Sequence, residues 1–177
     1  VFRRPVHCTL NGLEASAINS LLEPRTERPD ATRLTANGGF SYLGAKIYGQ
    51  GFLLTPEERG ALVRSAARNA HRINPYLGGE EVNSSPTLEH TRYAINFGNR
   101  TLGECAQWPD LLRIVRERVK AERDNLPDSA AARQLQNEWW KFFRPRFELY
   151  EAIAPLKRCL VTSQVTKHLV FSFQPTD

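Results

Sequence analysis

Aromatic and basic residues are mixed in one short stretch of this 177-residue sequence, and such a mixture can serve two purposes. The stretch runs from Asn137 to Glu151 and reads NEWWKFFRPRFELYE, with six aromatic residues among fifteen. Its rings can build a core, or its rings and cations together can bind a polyanion. Because large rings dominate burial in protein cores, we expect most of them to be buried. These rings are Trp139, Trp140, Phe142, Phe143 and Phe147.

Three cations of the same stretch are candidate contacts to a polyanion: Lys141, Arg144 and Arg146. Pro145 stiffens the backbone between the two arginines, and their planar guanidinium groups suit contacts to phosphate or guanine. The alternative is that these arginines form ordinary salt bridges at the surface.

A second candidate set lies in the segment from Arg158 to Phe173, which has the composition of a β-strand. In a continuous strand, alternation would place the apolar side chains on one face and the polar ones on the other. The apolar set is Cys159, Val161, Val165, Leu169, Phe171 and Phe173. The polar set is Arg158, Thr162, Gln164, Thr166, His168 and Ser172, and Ser163 and Lys167 lie beside the candidates among them. Such side chains suit base edges and phosphates, although a solvated sheet face shows the same pattern, and a bent strand and a hairpin both fit the segment.

Motifs for catalysis are missing or incomplete in the sequence. Asn74–Tyr76 is similar to the Asn-Pro-Pro-Tyr loop of amino-methyltransferases, but it lacks one proline, and we predict a turn there. Pro127–Asp128, followed by Glu138 and Lys141, has one residue too many for a metal-dependent nuclease motif. Neither a Gly-x-Ser-x-Gly sequence nor a phosphate-binding loop is present. We therefore predict that this chain holds no catalytic residue and no metal ligand.

The composition describes one domain of ordinary size with a surplus of basic residues. The net charge is +5 and the pI is about 9.4, which suits an acidic partner without requiring one. Cys8, Cys105 and Cys159 are far apart, so we expect them to be reduced and buried in a cytoplasmic protein. No run of apolar residues is long enough to span a membrane. The chain begins at Val1 and contains no methionine, which indicates a piece of a longer protein.

The predicted elements indicate an α+β fold, with a mixed or antiparallel sheet and several packed helices. Short strands flank a turn at Asn11–Gly12, and Pro24–Asp30 is a polar loop. Five glycines punctuate residues 38–54, which predicts bent or bulged strands. The capping sequence Thr55–Glu58 predicts a helix that ends at about Ala67.

The second half of the chain contains a predicted long helix with an apolar and a basic side. The apolar side is formed by Leu112, Val115 and Val119. The basic stripe is formed by Arg113, Arg116, Lys120 and Arg123. Three pairs four residues apart favour a solvated, salt-bridged face, namely Arg113/Glu117, Arg118/Glu122 and Lys120/Asp124. Other predictions are a connector at Asn74–Pro86, a strand at Arg92–Phe97, the start of the long helix near Pro109 and a short helix at Glu148–Ala154.

Several segments occur in an order that resembles one protein family. They read YLGAKIYGQGFLLTPEE, INPYLGGEEVNS, YAINFG, PDLLRIVRERVKAERDNL and WWKFFRPRFELYEAIAPLKRCLVTSQVTKHLVFSF. In this order they resemble the target recognition domain of single-chain type IIL restriction–modification enzymes, the MmeI-like adenine-N6 DNA methyltransferases. The resemblance spans about Phe40 to Asp177. It implies that residues 40–177 form a recognition domain and that residues 1–39 lead into it.

The resemblance implies sequence-specific recognition of double-stranded DNA within a longer bacterial enzyme. In that family a methyltransferase domain that uses S-adenosylmethionine precedes the recognition domain in the same chain, and a nuclease domain would use Mg²⁺. The fragment itself would then hold no cofactor. The candidate DNA-binding residues are Lys141, Arg144, Arg146, Thr162, Ser163, Gln164, Thr166, Lys167 and His168. The alternatives are a catalytic fragment, either methyltransferase or nuclease, and a domain that packs against another domain without binding DNA.

Overall fold

The computed structural model describes residues 8–27, 29, 32 and 34–176, and it confirms the predicted α+β class. The chain divides into two compact units, Val1–Ser41 and Tyr42–Asp177. The strand sequence predicted within residues 1–7 lies outside the described residues, as does part of the predicted loop at Pro24–Asp30. None of the helices that the structure describes is both long enough and apolar enough to cross a membrane.

The first unit contains the predicted hairpin. Strands β1 (Cys8–Leu10) and β2 (Leu13–Ala15) are antiparallel, and Asn11 and Gly12 join them. The φ angles of these two residues are 53° and 79°, the left-handed pair that a tight two-residue turn requires. Within this unit, a single 3₁₀ turn at Thr35–Asn37 follows among the described residues.

A three-stranded antiparallel sheet lies in the second unit. Its strands are β3 (Leu53–Leu54), β4 (Ile73–Tyr76) and β5 (Arg92–Ile95), in the order β3–β5–β4. The strand predicted from Arg92 is confirmed and occupies the centre. The turn predicted at Asn74–Tyr76 is wrong, because these residues pair with β5. Pro75 has no N–H to donate, and it is tolerated there because β4 is an edge strand.

Helix α1 (Pro56–Ser65) begins as the capping sequence predicts. The Thr55 hydroxyl accepts from the Glu58 backbone N–H at 3.2 Å, and the Glu58 carboxylate accepts from the Thr55 N–H at 2.9 Å. A 3₁₀ turn at Ala67–Arg72 then leads into β4. Two donors at the helix start are satisfied by these reciprocal bonds, which makes the start position well determined.

The predicted connector at Asn74–Pro86 is also wrong, because helix α2 (Gly79–Ser84) forms within it. The buried Glu81 carboxylate holds the start of this helix by accepting from the Gly78 N–H at 2.9 Å. The same carboxylate pairs with the Arg92 guanidinium of β5 at 2.7 Å. The helix therefore depends on a partner from a later strand, which local sequence patterns do not reveal.

The long helix has three parts: α4 (Pro109–Val115), a π-helical turn (Arg116–Lys120) and α5 (Ala121–Asp124). Short helix α3 (Leu102–Cys105) precedes it. The predicted apolar side is confirmed, since Leu112, Val115 and Val119 are buried. They pack in one core with Phe52, Leu54, Ile95, Phe97, Leu111 and Trp139.

The predicted salt bridges on the long helix are confirmed in two of three cases. Arg113–Glu117 and Lys120–Asp124 pair at 3.2 and 2.5 Å. The third prediction is wrong, because Arg118 pairs with Glu58 of α1 at 2.6 Å.

Residues 38–54 contain far less strand than predicted. Strand pairing in this range is limited to a single antiparallel bridge at Lys46 and to the two residues of β3. The chain bends at Tyr48 and Gly49, where φ is 54° and 92°. Gly51 then passes so close to the long helix that a Cβ atom would lie 2.7 Å from Val119 Cγ2. The glycines here allow a close approach of backbone to helix rather than bulges in a strand.

The C-terminal segment forms a hairpin of β6 (Arg158–Val161) and β7 (Ser172–Pro175). Residues 162–171 connect the two strands without regular structure. The prediction of one continuous strand with an apolar and a polar face is therefore wrong. The supposed apolar face does not form, since Val165 and Leu169 are 83% and 77% exposed.

The cysteines Cys8, Cys105 and Cys159 are free, as predicted for reduced thiols. Cys105 is buried, and burial raises its pKa to about 11, so it is a neutral thiol at physiological pH. The expectation of burial is wrong for Cys8 and Cys159, which are half-buried.

Candidate nucleic-acid interface

The aromatic-basic stretch connects helix α6 (Ala130–Asn137) to helix α7 (Phe147–Ile153), which confirms the short helix predicted there. Trp139 is buried, and Phe142 packs edge-on against Phe52 with ring centroids 5.2 Å apart. Trp140 is half-buried and donates from Nε1 to the Arg100 carbonyl at 2.8 Å. Most rings therefore serve the core, as predicted.

Two rings of the stretch lie nearer the surface. Phe143 is half-buried and meets Tyr48 edge-on, with ring centroids 5.8 Å apart. Phe147 is 40% exposed at the start of α7, so the prediction that it is buried is wrong. The rings in the first half of the stretch are therefore packed in the core, and those in the second half lie at the surface.

Arg123 of α5 fixes the position of this stretch. Its guanidinium is fully buried and donates to the carbonyls of Trp139 and Lys141 at 3.1 and 2.9 Å. It also donates to the carbonyls of Ile47 and Tyr48 at 2.9 and 3.3 Å. The prediction that Arg123 belongs to a solvated stripe is therefore wrong.

Arg123 remains positively charged although it is buried. Burial lowers the pKa of Arg123 to about 10, and the guanidinium is still protonated at neutral pH. Its planar fork can serve several carbonyls at once, which a lysine ammonium cannot do in the same geometry. One cation thus ties two distant segments of the chain to the long helix.

The two segments held by Arg123 also pair with each other. The Lys46 N–H donates to the Arg144 carbonyl at 2.9 Å, and the Arg144 N–H donates to the Lys46 carbonyl at 3.0 Å. Residues that exchange both bonds lie directly opposite, with both side chains on one face. Both Lys46 and Arg144 are exposed, so this face of the bridge carries two cationic side chains. Like charges in this position repel each other, and an anion bound between them would offset the repulsion.

The three predicted cations of the stretch differ in their partners. Arg146 lies 3.7 Å from Glu148, so the salt-bridge alternative applies to it, and Lys141 also pairs, with Glu138 at 2.7 Å. Arg144 stacks on Phe143 with its guanidinium carbon 4.3 Å from the ring centroid, and it forms no ion pair within the described part of the chain. Arg144 is therefore the cation most available to a ligand.

The hairpin loop carries the other six candidates, and the hydroxyl groups of two of them, Ser163 and Thr166, are used internally. Ser163 Oγ donates to the Val165 carbonyl at 2.9 Å, and Thr166 Oγ1 donates to the His168 carbonyl at 2.8 Å. The Asn83 side-chain amide of α2 donates to the same Val165 carbonyl at 3.2 Å. These bonds shape the loop and hold it against α2.

The remaining side chains of the loop face outward. Thr162, Gln164, Lys167 and His168 are exposed, and their side chains have no hydrogen-bond partner among the described residues. An open cleft of about 380 Å³ separates part of this loop from α2. It is lined by Val82, Asn83, Val165, Thr166, Lys167, His168 and Val170.

The structure brings together only some of the predicted site residues. Lys141, Arg144 and Arg146 share one connection, and Lys46 joins them although the sequence offers no sign of it. The six loop residues form a separate group, and no hydrogen bond or ion pair within the described ranges links the two groups. The described part of the chain contains no group of three or more His, Cys, Asp or Glu side chains that could hold a metal ion.

The fold of this chain is similar to part of a protein of known structure. A search of solved structures finds a similarity to the Type IIL restriction-modification enzyme MmeI in complex with DNA, with a TM-score of 0.61 and 19% sequence identity. The alignment covers 93% of this chain and 21% of that chain, so this chain spans about a fifth of the matched protein. A scan against family models and a search of curated proteins find no match. The matched protein is a type IIL restriction–modification enzyme, the family that the sequence resembles. The similarity shows that this chain shares a fold with part of that enzyme.

Proposed function

We propose that this chain is the DNA target recognition domain of a single-chain type IIL restriction–modification enzyme. Residues 40–177 would form the recognition domain, and residues 1–39 would lead into it. The observation that carries the proposal is the similarity over 93% of the chain to part of a restriction–modification enzyme in complex with DNA. The charge distribution supports it independently, because the exposed Lys46–Arg144 pair provides two adjacent cations on a supported backbone.

In this proposal the basic stretch sets the position of the domain on the duplex. Lys46 and Arg144 contact phosphates, with Lys141 and Arg146 beside them. Phosphate contacts determine register and orientation without reading sequence. A backbone held by Arg123 suits this role, since a rigid support reduces the entropy lost on binding.

The hairpin loop supplies the contacts to base edges. Gln164 projects from it without an internal hydrogen bond among the described residues and can form two bonds with adenine. Lys167 and His168 are exposed on the same loop, and Thr162, Ser163 and Thr166 complete the set. Sequence reading would then come from a loop held against α2 and not from a sheet face.

The chemistry belongs to the proposed parent enzyme. Its methyltransferase domain, in the same bacterial cytoplasmic chain, would bind S-adenosylmethionine, and a nuclease domain would bind Mg²⁺. An enzyme that modifies a base must turn it out of the helix, and a recognition domain holds the duplex during that step. This fragment would contribute binding and no catalytic residue.

The test is the salt dependence of duplex binding by the 177-residue chain. Fluorescence anisotropy would give the binding constant for a duplex between about 50 and 200 mM salt, where counterion release makes phosphate contacts visible. The double variant Lys46→Gln/Arg144→Gln should flatten the slope of log K against log salt by about 1.8, since each lost contact removes about 0.9. The matched control is Arg113→Gln/Arg133→Gln, which removes the same charge from exposed ion pairs and should leave the slope unchanged. Absence of salt-dependent duplex binding by the wild-type chain would overturn the proposal.

One observation favours a second candidate function, a domain that packs against another protein domain. The C-terminal hairpin exposes Leu160, Val165, Leu169, Phe171 and Phe173, each more than half exposed. An apolar surface of this kind suits a protein partner better than DNA. In that case the chain would bind no duplex at any salt concentration, so the same titration separates the two functions.

A further inference from the structure

A second cationic cluster lies around Trp108, apart from the Lys46–Arg144 pair. The Arg72 guanidinium carbon is 5.0 Å from the centre of the Trp108 ring, and that of Arg100 is 5.6 Å from it. Arg72 ends the 3₁₀ turn before β4, and Arg100 follows β5. Adjacent strands therefore deliver two arginines to one aromatic ring.

The backbones of both arginines are held in place. The Arg72 carbonyl accepts from the Asn96 N–H at 2.8 Å, and the Arg100 carbonyl accepts from Trp140 Nε1 at 2.8 Å. Trp108 is fixed in turn, since its Nε1 donates to the Arg68 carbonyl at 3.0 Å. The cluster is a supported arrangement of side chains.

Neither guanidinium has a carboxylate partner within the described ranges. The Arg100 guanidinium donates to the Phe97 carbonyl at 3.2 Å, and the half-buried Arg72 guanidinium makes no hydrogen bond to any described residue. Glu104, the carboxylate near Arg100, is occupied by the N–H and hydroxyl of Thr101 at 2.7 Å each. Two half-buried cations are thus held near each other with unused donors.

The charges of this cluster also act on nearby pKa values. Burial lowers the pKa of Arg72, and the charge of Arg100 lowers it further. Arg100, Lys141 and Arg72 each act to lower the pKa of Cys105, although burial outweighs them. Lys141 also reaches the Asn99 side-chain oxygen at 3.5 Å, next to Arg100. Lys141 therefore lies beside the Arg72–Arg100 cluster, and Lys141 is a predicted DNA contact.

We propose that Arg72 and Arg100, supported by Trp108, contact the phosphate backbone of duplex DNA next to Lys141. Planar guanidinium groups with free N–H donors form short, paired hydrogen bonds to phosphate oxygens. An approaching phosphate would offset the repulsion between the two arginines and satisfy donors that the protein leaves unused. This inference rests on the proposed function and extends its phosphate-binding surface by two residues that sequence patterns do not indicate.

The test is the double variant Arg72→Gln/Arg100→Gln in the 177-residue chain. Its slope of log K against log salt for duplex binding should be flatter than wild type by about 1.8, or about 0.9 for either single variant. The control Arg113→Gln/Arg133→Gln has the same change in net charge and should keep the wild-type slope. If the wild-type slope responds to Lys46→Gln/Arg144→Gln but not to the Arg72/Arg100 variant, this inference is overturned and the proposed function stands. If wild type binds no duplex, both fall.

A second variant covers the case in which removal of the arginines prevents folding. Arg72→Lys/Arg100→Lys keeps both charges and the stems that pack on Trp108, but it loses the planar donors. Binding should weaken by at least about threefold while the slope is kept, because point charges replace paired hydrogen bonds. A merely structural role would change the melting temperature and leave duplex affinity of the folded protein at the wild-type value, which would overturn the inference.

Discussion

Lys46 and Arg144 lie directly opposite each other in an isolated antiparallel bridge and exchange two backbone hydrogen bonds of 2.9 and 3.0 Å. Both side chains are exposed cations on the same face of the bridge. Arg123 holds both segments from beneath through carbonyls on each of them. The backbone is therefore well supported at a point where two exposed cationic side chains share one face.

This relationship predicts opposite effects on stability and on binding. In Lys46→Gln, which keeps the stacking of Arg144 on Phe143, the repulsion disappears and the free energy of unfolding should stay constant or rise by about 0.2–1 kcal/mol. Duplex affinity should fall in the same protein. The control Arg113→Gln/Arg133→Gln removes favourable pairs, and its unfolding free energy should fall by about 0.3–0.5 kcal/mol for the i,i+4 pair. Urea titration measures both, and clear destabilisation of the first variant would count against a repulsive pair.

Arg123 predicts a large structural effect. Arg123→Met leaves carbonyls of two segments without their donor, and the free energy of unfolding should fall by about 3 kcal/mol or more. Arg123→Lys should have an intermediate effect, since one ammonium cannot reach all these carbonyls. The control is Arg116→Met on the same helix, where the guanidinium is exposed and should change stability by about 1 kcal/mol or less. A wild-type urea midpoint for Arg123→Met would contradict the role assigned to this residue.

The comparison of sequence and structure shows which features depend on local signals. The Asn11–Gly12 hairpin, the Thr55–Glu58 helix start and the apolar side of the long helix were predictable, because each is determined by residues within a few positions. Helix α2 was not predictable, because it depends on an ion pair with Arg92 of a later strand. The bend at Gly49 was not predictable either, because it depends on close packing against the distant long helix.

The candidate site was predictable to a similar extent. Residue types identified Arg144 and Gln164 as exposed polar groups, and both are exposed. The spatial partners Lys46 and Arg123 were missed, because long-range pairing brings them to the stretch. The alternating pattern in residues 158–173 was misleading, because hydroxyl groups of Ser163 and Thr166 bond within a loop and interrupt the strand.

The buried ion pair between Glu81 and Arg92 predicts a pH effect. Burial acts to raise the pKa of Glu81, but the Arg92 hydrogen bond and backbone donors outweigh it and lower the pKa below 4.5. A lowered pKa of a carboxyl in the folded state means that the stabilisation is present above about pH 4.5 and is lost as pH falls through the folded-state pKa. Glu81→Gln should therefore cost about 1–3 kcal/mol at neutral pH, and this deficit should shrink in acid.

The neighbouring carboxylate provides the control for this pH effect. Glu80 also pairs with Arg92, at 2.9 Å, but its side chain is 74% exposed. Glu80→Gln should therefore cost about 0–1 kcal/mol. Urea unfolding of both variants and wild type, from neutral pH into the acid range below about pH 4.5, follows the loss of the Glu81 contribution. A Glu81→Gln deficit that is constant over this range would contradict the assignment.

The last prediction concerns base reading by the hairpin loop. Gln164 is exposed, and its amide makes no hydrogen bond to other described residues, whereas the nearby hydroxyl groups of Ser163 and Thr166 are occupied. A glutamine can accept from the amino group of adenine and donate to the adjacent ring nitrogen, which discriminates by about 1–3 kcal/mol. Gln164→Glu removes the donor and should favour cytosine, whose amino group the carboxylate can still accept. The proposed parent enzyme with this change should methylate an altered target or lose preference at one position.

Single-molecule sequencing of DNA from a host that expresses the parent enzyme measures this outcome. Gln134→Glu, an exposed glutamine on α6, makes the same change of charge and should leave the methylated sequence unaltered. Substitutions at Lys167 and His168 test the rest of the outward-facing group, with Lys167→Gln expected to weaken binding to all sequences alike. An unchanged target for Gln164→Glu and His168→Ala alike would show that this loop does not read bases. The hairpin would then be left with its exposed apolar side chains, which fit a contact to another protein domain.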